Sequence, residues 1–207
     1  STRRREIFLP LFWRETWRCG VDIISSFLGL SPDKVVDKVN DFRVTAYIRG
    51  DYVQSPDSLY AEDFDIITHI ILFECASFDT EGNVNVDGNK MATALTNIRN
   101  AIGDRDVKIT LNLIGPWGDT DSNVWEEQME AQSDAHNKAF TSGVLEDNII
   151  AVLENYSFDG VHFDYEYPLS LKAWHYYNHF LVSMDKALGD DYTLGVAGNT
   201  WNLKFTA

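Results

Sequence analysis

FDGVHFDYEYP, residues 158–168, sets four ionisable side chains (Asp159, His162, Asp164 and Glu166) among the apolar Phe158, Val161, Phe163, Tyr165 and Tyr167. In an extended chain successive side chains point to opposite faces. His162, Asp164 and Glu166 therefore share one face, and Val161, Phe163, Tyr165 and Tyr167 take the other. A rise of about 3.3 Å per residue places Asp164 and Glu166 roughly 6–7 Å apart along the strand, pointing the same way. Two carboxylates that close in a partly desolvated cleft repel, so one is driven to hold its proton near neutrality. A protonated carboxyl beside an ionised one is the equipment of glycosidic-bond cleavage. A solvated strand end or a structural polar network is the plain alternative. A metal site on His162, Asp164 and Glu166 is chemically conceivable. Ligands two apart on one strand would need partners to which the sequence does not point.

Outward from this stretch the pattern is regular. FRVTAYIRG (42–50) is rich in β-branched and aromatic residues, and FDIITHIILFECASF (64–78) reads as one long apolar strand before the turn-rich DTEGN. Met91, Leu95, Ile98 and Ile102 fall at helical spacing and stop at Gly103. VKITLNLIG (107–115) is a third strand. Phe140, Leu145, Ile149, Val152, Leu153 and Tyr156 mark one helical face before the opening stretch, and Trp174, Tyr177, Leu181, Met184 and Leu188 mark another after it. YTLGVAGNTW (192–201) is the fifth strand. Strands that alternate with amphipathic helices imply βα units around a parallel sheet, whose strands are buried on both faces. The fold class is α/β. In such folds functional groups collect at the C-terminal ends of strands, where Asp164 and Glu166 lie.

The chain has 207 residues and a net charge of −15, with 44% apolar and 24% charged residues. That composition belongs to a globular chain, and the charge argues against nucleic acid or an anionic membrane as partner. No apolar run is long enough for a transmembrane helix. Cys19 and Cys75 do not make a disulfide framework. Residues 1–18 carry five arginines against Glu6 and Glu15, yet their apolar runs are too short and broken for a signal peptide. Residues 1–41 read as a helical or irregular N-terminal extension, with SPDKVVDKV (31–39) as a capped helical turn. The chain begins at Ser1 rather than Met, as processing, a cloning boundary or an incomplete sequence would produce.

The motif FDGVHFDYEYP resembles the signature of glycoside hydrolase family 18, the chitinase family, with the pattern D-G-x-D-x-D-x-E and often Tyr-Pro after it. Asp159, Gly160, Asp164, Glu166, Tyr167 and Pro168 match, and His162 stands where the family usually has Asp. THI (68–70) with FDTEGNV (78–84) is similar to the family's second strand and following turn. LIGPW (113–117) is similar to its third-strand S-x-G-G motif, with Leu113 for Ser and Pro116 for the second Gly. The resemblance covers about residues 42–202.

It implies a (β/α)8 TIM barrel, of which this chain covers about the first five βα units, with 42–207 the N-terminal part of the barrel. The implied reaction is hydrolysis of β-1,4-linked N-acetylglucosamine polymers with retention, the substrate's own 2-acetamido group acting as nucleophile. Glu166 would be the acid, and Asp164 would orient the acetamide and stabilise its positive charge. Asp159, at the opposite parity, would steady the strand. His162 would hydrogen-bond Asp164 in place of the usual Asp. Tyr47, at the end of the first strand, and Trp117, after the third, are candidates for lining the sugar site, with packing the competing role. Trp125 and Trp201 also fall in or near loops after strands. Neither a metal nor an organic cofactor is called for, and NVNVDGNK (83–90) lacks the acid that a calcium loop needs at its twelfth position.

Two alternatives share the scaffold. One is an endo-β-N-acetylglucosaminidase acting on glycoprotein glycans or peptidoglycan. The other is a non-catalytic chitin-binding lectin, against which Glu166 speaks. The expected partner is an oligosaccharide or polysaccharide containing N-acetylglucosamine, in a secreted or extracellular setting. Five strands do not close an eight-stranded barrel. Missing sequence or a second chain is expected to supply the rest, with the first and fifth strands left as edges in its absence.

Overall fold

In the computed structural model, which describes residues 6–10, 43–166 and 168–198, the expected parallel strands form alongside one that the sequence does not announce. The chain divides into one unit of Ser1–Phe73 with Gly88–Ile109 and a second of Glu74–Asp87 with Thr110–Ala207.

The first unit holds β1 (Glu6–Pro10), β2 (Arg43–Arg49) and β3 (His69–Phe73), all parallel. Glu6 registers with Arg43, and Thr45 with His69. The N-terminal segment is thus neither helical nor irregular over these five residues, and the run at 42–50 is not an edge. Five residues ending in a proline and preceded by arginines give too little alternation to be read as a strand. The capped turn expected at 31–39, together with Cys19, lies outside the described residues. Thr68 ties the strand starts together, its Oγ accepting from the Val44 amide at 2.9 Å and its carbonyl accepting from the Lys108 amide at 3.0 Å. Ile70, Ile71 and Leu72 are buried in succession, the mark of a strand covered on both faces.

Helix α1 (Gly88–Ile102) buries the expected Met91, Leu95, Ile98 and Ile102 and packs on the short 3-10 turn Ala61–Phe64. The run at 64–78 is not one strand. Glu74 adopts φ 63°, in the left-handed region that a non-glycine residue enters only at a cost, and this ends the run of β3.

The rest of that run belongs to the second unit, as a hairpin of β4 (Ala76–Phe78) and β5 (Val84–Val86). The Asp79 carboxylate accepts from the amides of Glu81 and Asn83 at 3.0 and 2.8 Å. These bonds close the turn as an Asx motif and, led by the Asn83 side chain, lower the Asp79 pKa. NVNVDGNK contributes β5 and opens α1.

β6 (Lys108–Leu113) begins in the first unit and runs into the second, where it pairs in parallel with β7 (Gly160–Phe163), and β7 pairs with β8 (Thr193–Val196). The helical face expected from Phe140 to Tyr156 is two helices. Helix α2 (Trp125–Phe140) stops at Thr141, Gly143 turns at φ 77°, and α3 (Leu145–Tyr156) starts afresh. Helix α4 (Leu171–Leu188), capped by the Ser170 hydroxyl, buries Tyr177, Met184 and Leu188 as expected and packs on α2 and α3.

An aromatic cluster joins these layers. Phe140 stacks on Phe180 at 4.5 Å and on Tyr177 at 5.5 Å, and Phe163 meets Phe180 edge-on at 5.2 Å. Each such ring contributes roughly 1.5–3 kcal/mol on burial, enough to hold β7 firmly against its helices.

Candidate active site

The site is built on β7, whose four residues are all buried between β6 and β8. Gly160 is there for space. A Cβ on it would sit 2.2 Å from the Thr193 carbonyl oxygen, so any other residue would force β8 away. The preceding Asp159 carbonyl accepts from the Thr193 amide at 2.9 Å and from its hydroxyl at 3.2 Å. The sheet hydrogen bonding continues past Phe163, since the Asp164 amide donates to the Leu113 carbonyl at 3.1 Å and the Ala197 amide to the Phe163 carbonyl at 2.9 Å. Asp164 and Glu166 therefore leave the C-terminal end of a strand fixed from both sides.

Tyr165, between the two carboxyls, turns the other way and is buried. Its hydroxyl donates to the Ser133 Oγ at 2.8 Å, and its ring stacks on His136 at 4.0 Å with 15° between planes. Burial lifts its pKa to about 12, so it stays a neutral anchor at any working pH. The alternation read from the sequence thus persists beyond the regular strand. Asp164 is open to solvent and Glu166 half-buried on one face, while Tyr165 locks the other.

The two carboxyls interact directly. Desolvation raises the pKa of Asp164; its hydrogen bond with Glu166 works the other way, and the charge of Glu74 adds to the rise. Glu166 is raised by desolvation, by the Asp164 charge and by the same hydrogen bond. Both carboxyls are thus held above their ordinary range, and the hydrogen bond between them favours the ionised form of Asp164 and the protonated form of Glu166. Asp164 is exposed, yet neighbouring protein displaces part of its hydration and so raises its pKa.

His162 does not use its Nδ1 on Asp164. That nitrogen lies 2.7 Å from Asn112 Oδ1 on the neighbouring strand, where the two residues are in register. The expected His162–Asp164 bond is thus replaced at Nδ1 by a sideways bond, because a strand neighbour in register is nearer than a residue two positions along.

Trp117 lies in the loop after β6 and is 61% exposed, and Trp125, the first residue of α2, is 38% exposed, so neither is a core residue. Tyr47 belongs to the first unit, half-buried with its ring edge-on to Phe73 at 6.3 Å. Tyr167 and Trp201 lie outside the described residues.

Four residues near the pair escaped the sequence reading: Glu74, Asn112, Ser133 and His136. Asn112 carried a signal, a polar residue inside the apolar KITLNL. Glu74 carried a weaker one at the end of IILFE. Ser133 and His136 sit in a helix of low apolar content, and nothing marked their face as inward.

His136 gives a test of packing beneath the site. Its Nδ1–H donates to the Gln132 carbonyl at 2.8 Å, and burial pulls its pKa down to about 4 from 6.5. The unfolded chain takes up a proton as pH falls through 6.5, while the folded protein does so only near 4. The neutral imidazole is therefore fully tolerated above pH 6.5, and stability is lost progressively from there to about pH 4. Asp164 and Glu166, raised on folding, act in the opposite sense. His136→Phe keeps a ring against Tyr165 and removes the titration. Urea melts at pH 7 and 4.5 should show it losing about 2 kcal/mol less between the two than the parent does.

No protein-family model matches the sequence. No curated protein matches it either. Solved structures do match the fold. A chitinase from Bacteroides thetaiotaomicron superposes with a TM-score of 0.57 and 20% identity, over 77% of this chain and 47% of that one. A group II chitinase catalytic domain from Ostrinia furnacalis, solved with a chitin oligosaccharide, gives 0.53 and 18%, over 79% and 45%. The family 18 chitinase from the chitin utilization locus of Flavobacterium johnsoniae gives 0.51 and 21%, over 79% and 51%. Over the part it covers, the chain has the fold of the family 18 chitinases, an α/β barrel with parallel strands. It spans about half the length of these structures.

Proposed function

We propose that this chain carries the catalytic acid of a glycoside hydrolase that cleaves β-1,4-linked N-acetylglucosamine with retention. The observation that carries the reading is the Asp164–Glu166 pair, hydrogen-bonded to one another and both raised by desolvation, at the C-terminal end of a buried strand in this fold. Glu166 gives its proton to the glycosidic oxygen as the bond from that oxygen to the anomeric carbon breaks. The carbonyl oxygen of the substrate's 2-acetamido group attacks the same carbon from the opposite side, forming an oxazolinium ring. Asp164, left ionised, holds the acetamide N–H and offsets the positive charge. Water then attacks the anomeric carbon while the Glu166 carboxylate takes its proton, and the ring opens. Two inversions give net retention, with the substrate supplying the nucleophile that a second carboxylate would otherwise provide.

The exposed Trp117 ring suits stacking on a sugar face, and Tyr47 is kept as a second sugar-contacting candidate. Among the described residues no helix is long and apolar enough to cross a membrane. A non-catalytic lectin would have no use for an acid at Glu166, and its presence favours the enzyme. Incubation of the full-length protein with chito-oligosaccharides, a high-mannose glycan and peptidoglycan, with products read by mass and anomeric NMR, tests the reading. Chito-oligosaccharide cleavage with a first-formed β-anomer is expected. Cleavage only of the glycan or of peptidoglycan would move the substrate class, and binding without cleavage would replace the enzyme by the lectin.

A further inference from the structure

Asn112, His162 and Gly195 are Cα partners in register across three adjacent strands, forming one row beneath the carboxyl pair. Asn112 is 1% and His162 4% exposed, while Gly195 is half-buried on the β8 side. The imidazole lies across it. Nδ1 faces β6, 2.7 Å from Asn112 Oδ1, while Cδ2 faces β8, where a Cβ on Gly195 would come within 2.8 Å. That contact is closer than real Cβ atoms tolerate. The glycine is required by the ring and not by its own backbone. With the amide oxygen accepting, the proton of the neutral imidazole is fixed on Nδ1. By parity the imidazole lies on the face that Asp164 shares. The Asn112 Nδ2 is buried and without a partner among the described residues. A buried carboxamide with half its hydrogen-bonding capacity unused carries an energetic cost.

We propose that Asn112 is a positioning residue that acts through His162: it sets the tautomer and the plane of the imidazole, and Gly195 makes the room, so that Asp164 leaves the strand in the orientation that pairs with Glu166. This rests on the hydrolase reading above. The row accounts for a histidine where related motifs have an acid. The imidazole is too large for the position unless β8 gives up a side chain, and β6 supplies the partner for its Nδ1.

The test uses full-length protein labelled with 15N-histidine, with His162→Gln to assign the His162 signals. The parent should show the proton on His162 Nδ1. Asn112→Leu, close in volume but without an acceptor, should lose that preference. Its kcat on chito-oligosaccharides should fall roughly 10- to 100-fold with little change in KM, the cost of a misplaced reacting group. Asn112→Asp, which restores an acceptor, should recover the tautomer and much of kcat. A role confined to stability would lower the melting temperature of Asn112→Leu and leave tautomer and kcat alone, and that result overturns the proposal. If Asn112→Leu does not fold, Gly195→Ala serves instead. It should displace the ring from the β8 side and lower kcat at constant KM, and parent-like kinetics there also overturn it. A parent that binds but cleaves none of the three substrates refutes the hydrolase reading and the positioning role with it. The tautomer assignment is judged by the nitrogen spectrum alone.

Discussion

Glu166→Gln should lower turnover of chito-oligosaccharides by about 10²- to 10⁴-fold, the usual worth of a positioned general acid. Binding of the same oligosaccharides should stay within a few-fold of the parent, because the amide keeps the shape and the capacity to donate to Asp164. It loses only the transferable proton. On the proposed mechanism, the parent's pH dependence would have its origin in the same pair. Glu166 would have to be protonated, so activity should fall as pH rises through its raised pKa. Asp164 would have to be ionised, so activity should fall again on the acid side. Single-turnover rates of parent and variant, with binding measured separately by calorimetry, check the result. A variant that hydrolyses at the parent rate would remove Glu166 from the reaction.

Asp164→Asn should cost on the order of 10²-fold in kcat, the loss expected when a charge aimed at a developing cation is neutralised in a partly desolvated site. It should also weaken thiazoline inhibitors, which mimic the oxazolinium, more than it weakens intact oligosaccharide. The reason is specific to the arrangement. Glu166 is raised partly by the Asp164 charge and partly by the bond between them, so the asparagine both removes the cation's partner and releases the proton of Glu166 at lower pH. The basic limb of the pH–rate profile should therefore move down in pH. Unchanged inhibitor affinity would remove Asp164 from its role.

The two substitutions report on different parts of the site. On the proposed mechanism, Glu166→Gln would read proton delivery and Asp164→Asn charge stabilisation. Tyr165, between them, fixes both, since its hydroxyl on Ser133 and its ring on His136 leave the intervening backbone little freedom.

The sequence by itself determined the α/β class, the strand carrying the pair, the face that Asp164 and Glu166 share, the apolar face of α1 and, through Tyr177, Met184 and Leu188, part of that of α4. These rest on periodicities of two and about 3.6 residues, which local backbone geometry imposes and which survive in a single chain read alone. Where local signals failed, the cause was also local. Glu74 interrupts an apolar run through its backbone angle, and Gly143 divides one apparent helical face into two.

The tertiary structure alone decided which residues stand beside the pair. Parallel neighbours are separated by whole βα units, so Asn112 meets His162 across 50 positions and Gly195 meets it from the other side. Strand register, not sequence proximity, chose these partners. It also turned Glu6–Pro10 into a strand, because backbone amides and carbonyls pair wherever an open edge is offered, whatever side chains they carry.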